Sequence, residues 1–305
     1  MSFLKRLADP RPIILDGAVG TELMRRAVDT RLPLWSAGAL ITAPHVLRQI
    51  HADYLRAGAE IITADTFRTH RRNLAAAGLD HRARDLTHTA VEIAQSAIRA
   101  RTRPLDPARY QPRYVAGSMS PLEDCYSPEL VPPQEECERE HGEMARHLAE
   151  AGVDLILVET MNTIREARAA VMAAHATGLP VLSSFVCRTD GRLFSGESVT
   201  EAVEEIGPLG VVGLLVNCTP SATIREPLGE LQQAVRALTA PPPITGAYAN
   251  IGHTDDIVGW SNTADVSPLE YAQLAAGWLK QGANLVGGCC GTTPAHIAAL
   301  RVVMS

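Results

Sequence analysis

Apolar residues along this chain come in short, nearly unbroken runs separated by longer stretches with helical periodicity. Eight runs stand out: "PIILDG" (12–17), "EIITADT" (60–66), "RYVAGSMS" (113–120), "DLILVET" (154–160), "PVLSSFV" (180–186), "GLLVNC" (213–218), "PITGAYAN" (243–250) and "NLVGGCC" (284–290). A strand that is apolar on successive residues is buried on both faces, the environment of a parallel sheet covered by helices. The intervals supply those helices. After the first run, Val46, Ile50 and Tyr54 recur every fourth residue behind "TAPH", where a cap residue precedes a proline.

A weak internal echo supports the same pattern. "RAGAEII", "EAGVDLI" and "KQGANLV" place Gly58, Gly152 and Gly282 between the end of a helix and the start of a strand. Glycine there accepts the left-handed conformation that stops a helix. Eight such units predict an α/β protein, a single (β/α)8 TIM barrel over residues 1–305, since no Pro/Gly/Ser-rich linker divides the chain. Active sites of such barrels form where strands end and βα loops begin. Polar residues gather at those ends here: Asp16, Asp65, Ser118, Glu159, Cys218, Asn250, Cys289 and Cys290 among them.

Composition narrows the partners. The 305 residues are 46% hydrophobic and 20% charged, with a formal charge of −6, which gives no reason to expect nucleic acid. The N-terminus lacks a signal-peptide run, and no segment approaches the roughly 18 unbroken apolar residues of a membrane span. Six cysteines in a chain this long are too sparse for a disulfide framework, so a reducing cytoplasm is expected.

Candidate chemistry centres on thiols. The eighth run ends on Cys289 and Cys290, and the sixth ends on Cys218. In a closed barrel these two strands are separated by one neighbour. A disulfide within the adjacent pair would be strained, because bridged Cα atoms usually lie ~5.5 Å apart. Two readings remain: inert core thiols, or three ligands of a soft or borderline cation such as Zn²⁺, with the fourth tetrahedral position open as in catalytic sites. Gly287 and Gly288 would let the backbone twist so that both cysteines face an ion, and Thr293-Pro294 would open a helix whose N-terminus favours thiolates. Cys125, Cys137 and Cys187 are expected to be bystanders, and His253 is the one histidine placed near the mouth.

"VNCTP" followed by "GGCCGTTP", with "ILDGAVGTEL", "LWSAGAL", "HADYLRAGAEIITADTF", "VETMNTIREA" and "GAYANIG", resembles the zinc-dependent homocysteine S-methyltransferases over nearly the whole chain. The resemblance implies Zn²⁺ on Cys218, Cys289 and Cys290, with the homocysteine sulfur taking the open position as a thiolate and attacking a methyl group on a cationic donor. Methionine is the implied product. It further implies that Glu159 accepts the α-ammonium, and that Asp16 and the N–H groups around Gly17, Ala18 and Val19 hold the amino-acid end.

The donor is less legible. A sulfonium or quaternary ammonium group suits an aromatic face, yet only 4% of residues are aromatic. Trp35 in "LWSA" resembles the S-methylmethionine-using branch, with S-adenosylmethionine as a slower substitute. Tyr126 and Tyr248 are weaker candidates. Two features depart from that branch: Gly291 after the cysteine pair, and the "GSMSPLEDCYSPELVP" loop. Betaine is not expected, since the chain stops at Ser305 just after the last helix, and methyl-cobalamin would need a separate partner protein. A different thiol acceptor, or a non-catalytic zinc-binding barrel, stays open. A monomer or small homo-oligomer is expected.

Overall fold

Each of the eight apolar runs forms a strand: β1 Ile13–Ile14, β2 Ile61–Ala64, β3 Tyr114–Met119, β4 Leu155–Met161, β5 Val181–Val186, β6 Gly213–Pro220, β7 Ile244–Asn250 and β8 Leu285–Gly288. The structure, a computed structural model, describes residues 2–100, 112–238, 242–255, 259–261 and 266–304. Neighbouring strands pair in parallel around the ring β1-β8-β7-β6-β5-β4-β3-β2. Closure comes from a bridge between Leu15 and Ile61, where the Asp16 N–H donates to the Ile61 carbonyl at 3.0 Å and the Glu60 N–H to the Ile14 carbonyl at 2.7 Å. The result is the (β/α)8 barrel expected from the pattern.

Two cores follow from strand alternation. Leu15, Ile61, Leu155, Leu157, Leu215 and Leu285 point inward and pack together inside the ring. Their neighbours in sequence, such as Ile14, Ile62, Ile156, Val158 and Val286, pack outward against the helices. Helices end as read: Gly58, Gly152 and Gly282 have φ of 122°, 79° and 114°. One cap differs. The helix Pro44–Ala57 is preceded by Ala43, which has no side-chain acceptor, while the Thr42 hydroxyl donates back to the Gly38 carbonyl at 3.0 Å. Proline at the first helical position carries that start unaided.

The end of the barrel opposite the strand C-termini is plugged by the short helix Phe3–Leu7, which the apolar pattern did not single out. Phe3 meets Tyr114 edge-to-face at 5.3 Å, and Arg6 pairs with Glu60 at 2.7 Å while also donating to the Pro12 carbonyl. A two-stranded antiparallel ribbon, 253–255 with 259–261, follows β7. The His253 side chain lies outside the described residues. Among the described residues, no helix is long and apolar enough to cross a membrane.

Because Phe3 is only 3% exposed, Phe3→Ala is expected to cost about 3 kcal/mol in urea unfolding. Leu4→Ala, at a 55% exposed neighbour, should stay within about 0.5 kcal/mol. Equal stability of the two variants would show that the N-terminal helix is no part of the core.

Candidate active site

The same alternation that builds the inner core lifts polar groups to the mouth. Leu155 and Leu157 face inward, so Glu159 does too, at the top of β4. It is 8% exposed, accepting from the Ser118 hydroxyl at 2.5 Å on one oxygen and from the Tyr248 hydroxyl at 3.0 Å on the other. Burial pushes its pKa up to about 7; the two hydroxyls oppose that rise, and the nearby Cys218 adds to it. Asp16 is also buried, with Thr63 donating to it through its N–H at 2.8 Å and its hydroxyl at 3.0 Å. Burial raises its pKa well above the ordinary value; the two bonds from Thr63 oppose that rise, and the charge of Glu159 adds to it. Two buried carboxyls that disfavour each other's ionisation form a place where a cation would be welcome.

Closing the ring brings the three mouth cysteines together. The sulfurs of Cys218, Cys289 and Cys290 lie within 4.8 Å of one another. Cys218 sits at φ 51°, where the pairing of β6 with β7 shifts register between Asn217 and Pro220. Thr160, next to Glu159, has φ 63° at a similar shift in the β4–β5 pairing. Such backbone costs roughly 1–3 kcal/mol per residue and persists only where neighbours fix it. Asn217 fixes Thr160: its Oδ1 accepts from the Thr160 N–H at 3.1 Å and from the Ser184 hydroxyl at 2.7 Å, while its Nδ2 donates to Thr160 Oγ1 at 2.8 Å. Asn250 donates to the Cys218 carbonyl at 2.9 Å. Asn217 escaped the sequence reading, although its signal was there: a fully buried amide on an inward strand position beside a cysteine.

The glycines before the cysteine pair leave room for close neighbours. Neither Gly287 nor Gly288 has positive φ. A Cβ on Gly287 would lie 2.7 Å from Leu15 Cβ, and one on Gly288 would overlap the Thr292 hydroxyl. They allow close approach, and the left-handed residue of the turn is Gly291, at φ 85°. Thr292 closes that turn, its hydroxyl and N–H donating to the Cys289 carbonyl at 2.7 and 3.0 Å. The following helix, Pro294–Val303, starts at Thr293 as read.

Thiol chemistry at this trio is uneven. Cys218 is pushed well below the usual thiol range because the Cys289 and Cys290 thiols donate to it, and those two are pushed up as donors. Zn–S bonds of ~2.3 Å set tetrahedral S···S separations of ~3.8 Å, so the cluster is the right size for such an ion. The donor set fits a soft or borderline cation.

Cys125, expected to be a bystander, is not one of the three clustered sulfurs. It is buried in the loop after β3, near enough that the charge of Cys218 raises its pKa and its own charge raises that of Cys290. Cys137 and Cys187 are buried outside the trio; Cys137 packs with Leu122 and Ala169. Tyr126 beside Cys125 places its hydroxyl 3.1 Å from Cys218 Sγ and its ring edge-to-face on Phe194 at 5.2 Å.

Trp35, half-buried at φ 47°, stands edge-to-face on Phe67 at 6.0 Å and covers Gly20 so closely that a Cβ there would overlap the indole. It joins the loops after β1 and β2. Phe67 and Phe194 were both overlooked in the sequence. At Gly17 a Cβ would lie 2.8 Å from both the Tyr54 and Thr292 hydroxyls. The Ala18 N–H, one of the groups assigned to a carboxylate, donates to the Thr292 hydroxyl at 3.3 Å. Val19 opens the helix Val19–Arg25.

The family model for homocysteine S-methyltransferase matches residues 13–304. The chain belongs to the homocysteine S-methyltransferase family. It is 32% identical to homocysteine S-methyltransferase 2 of Zea mays, over 95% of this chain and 88% of that protein. It is 29% identical to a selenocysteine methyltransferase of Astragalus bisulcatus, over 97% and 93%. Among solved structures, the metallated homocysteine methyltransferase MmuM from Escherichia coli superposes with a TM-score of 0.83 at 28% identity, covering 98% of both chains.

The raised Glu159 has a consequence for stability. Folded protein keeps this proton up to about pH 7, whereas an unfolded chain loses it near 4.5. Stability contributed by the group is therefore full below 4.5 and lost as pH rises to about 7. In metal-free protein, Glu159→Gln should gain about 3 kcal/mol relative to the parent across that interval, read from urea unfolding at each pH. Parallel stability curves for the two proteins would mean that the carboxyl is solvated and ionises normally.

Proposed function

We propose that this protein transfers a methyl group from a sulfonium donor, S-methylmethionine or more slowly S-adenosylmethionine, to the sulfur of homocysteine, at Zn²⁺ held by Cys218, Cys289 and Cys290. The observation that carries this reading is the convergence of three sulfurs within 4.8 Å beside a buried carboxyl at one barrel mouth. When bound, the metal would keep the acceptor thiol ionised near neutral pH and leave it nucleophilic. The rest is positioning by the chain. Glu159 receives the α-ammonium, with Ser118 and Tyr248 fixing its two oxygens. Asp16 adds negative potential, and the N–H groups of Gly17 and Val19 take the carboxylate.

In the transfer the acceptor sulfur forms a bond to the methyl carbon as the bond from that carbon to the cationic donor sulfur breaks. The electron pair of the broken bond stays on the donor, which departs as a neutral thioether. A ring face suits the sulfonium until that moment. Trp35 is assigned to this wall, and its contacts with Phe67 and Gly20 hold the indole at the rim.

Two tests follow. Purified protein should carry about one zinc per chain, and Cys218→Ser, Cys289→Ser and Cys290→Ser should each lose most of it. Full retention in any two of these would remove the site as described. In a methyl-transfer assay crossing homocysteine, selenocysteine and other thiols with S-methylmethionine, S-adenosylmethionine, betaine and methylfolate, the sulfoniums should be used with homocysteine. Glu159→Gln should raise the homocysteine KM while zinc is kept. Trp35→Ala should weaken donor use by about tenfold, with Trp35→Phe milder. Turnover with betaine or methylfolate alone would overturn the donor assignment.

A further inference from the structure

Glu159 is one residue of the "VETMNTIREA" segment. The rest of that segment grips the loop after β3. Asn162 donates to the Asp124 carbonyl at 3.3 Å, Arg165 to the Pro132 carbonyl at 2.6 Å, and buried Glu166 accepts the Leu122 N–H at 2.8 Å. Glu166 also meets His141 Nε2 at 3.1 Å, which ties in the helix Gln134–Ala151. From the other side, the Ser120 hydroxyl donates to the Phe67 carbonyl at 2.6 Å and Arg72 reaches Glu123 at 3.2 Å. A loop held at this many points has its side chains set before any ligand arrives. What it presents to the thiol trio is the Tyr126 hydroxyl, 3.1 Å from Cys218 Sγ.

We infer that Tyr126 is a built hydrogen-bond donor to the Cys218 sulfur, and that through it the loop after β3 sets how much charge the thiolate trio gives to its metal. The inference rests on the metal reading above. Between a phenol and a thiol either group can donate, but a thiolate bound to a cation has no proton left, so the bond must run from oxygen to sulfur. Three thiolates on Zn²⁺ leave a net negative charge in a buried place, and a fourth sulfur adds to it. A donor aimed at one ligand withdraws charge from that sulfur and steadies the whole centre. Asn250 Nδ2, 3.5 Å from the same sulfur, is a longer and weaker contributor. Tyr126 thus acts through Cys218 and is a positioning and tuning residue.

The test replaces zinc with Co²⁺ in the parent and in Tyr126→Phe, which keeps the ring on Phe194 and removes only the hydroxyl. Loss of the donor makes the Cys218 sulfur more electron-rich, so the sulfur-to-cobalt charge-transfer band of the variant should move to lower energy. The variant should also yield its metal to a chelator about 10–100-fold more readily, while metal-free stability stays close to the parent's. An identical band and chelator curve in the two proteins would overturn the inference and leave Tyr126 as packing for Phe194. A parent without any thiolate-to-cobalt band would overturn the metal reading itself, and this inference with it.

Discussion

Three sulfurs within 4.8 Å of one another are a demand on the whole barrel, because two strands with a third between them must supply them. Their spacing is set by the pairing of β6 and β8 with β7, and hence by closure of the ring at Leu15 and Ile61. Even so, the strand ladder alone does not aim Cys218 correctly. Its backbone leaves the extended region, at φ 51°, and the β6–β7 register slips there. The strain is offset by amides: Asn250 holds the Cys218 carbonyl, and Asn217 holds the second distorted residue, Thr160. The site therefore depends on a few buried hydrogen bonds more than on the hydrophobic mass beneath it.

A second constraint is electrostatic. Glu159 and Asp16 are both buried and both pushed up, and the thiols beside them share charge unequally. In the proposed reading, a ligand bearing an ammonium at one end and a sulfur at the other would relieve both halves at once, the first by pairing with a carboxylate and the second by joining the thiolate cluster through a cation. Differential binding of that sort selects an amino acid with a thiol over either an amine or a thiol alone.

Most of the barrel was legible in the chain because its determinants are local. Strands buried on both faces read as apolar runs, and Gly58, Gly152 and Gly282 mark helix ends through their own backbone preference. Glu159 was legible for the same reason, since its inward orientation is fixed by its parity with Leu155 and Leu157. What escaped was non-local. Nothing around Phe3 announces that it meets Tyr114, and nothing around Gly288 announces that Thr292 folds back over it. Gly287 and Gly288 were singled out for backbone twist, whereas the close approach of Leu15 and Thr292 to them depends on packing that the local sequence does not show.

The divide between legible and illegible also runs through the site. The carboxyl and thiol half of the site stands on strands or just past their ends: Glu159 and Cys218 within β4 and β6, Asp16, Cys289 and Cys290 after β1 and β8. Its aromatic counterpart is made of loop residues: Trp35 with Phe67, and Tyr126 with Phe194. Each of those pairs joins loops distant in sequence, so neither partner could be inferred from its neighbours. Cys125 shows the same limit, for its closeness to the trio depends on how the loop after β3 is gripped by Asn162, Arg165 and Glu166. Loops can change while strand parity holds, so one acceptor site can serve different methyl donors within this architecture. In the proposed reading, donor choice therefore rests on the loops that carry Trp35 and Tyr126, and acceptor choice on the ring below them.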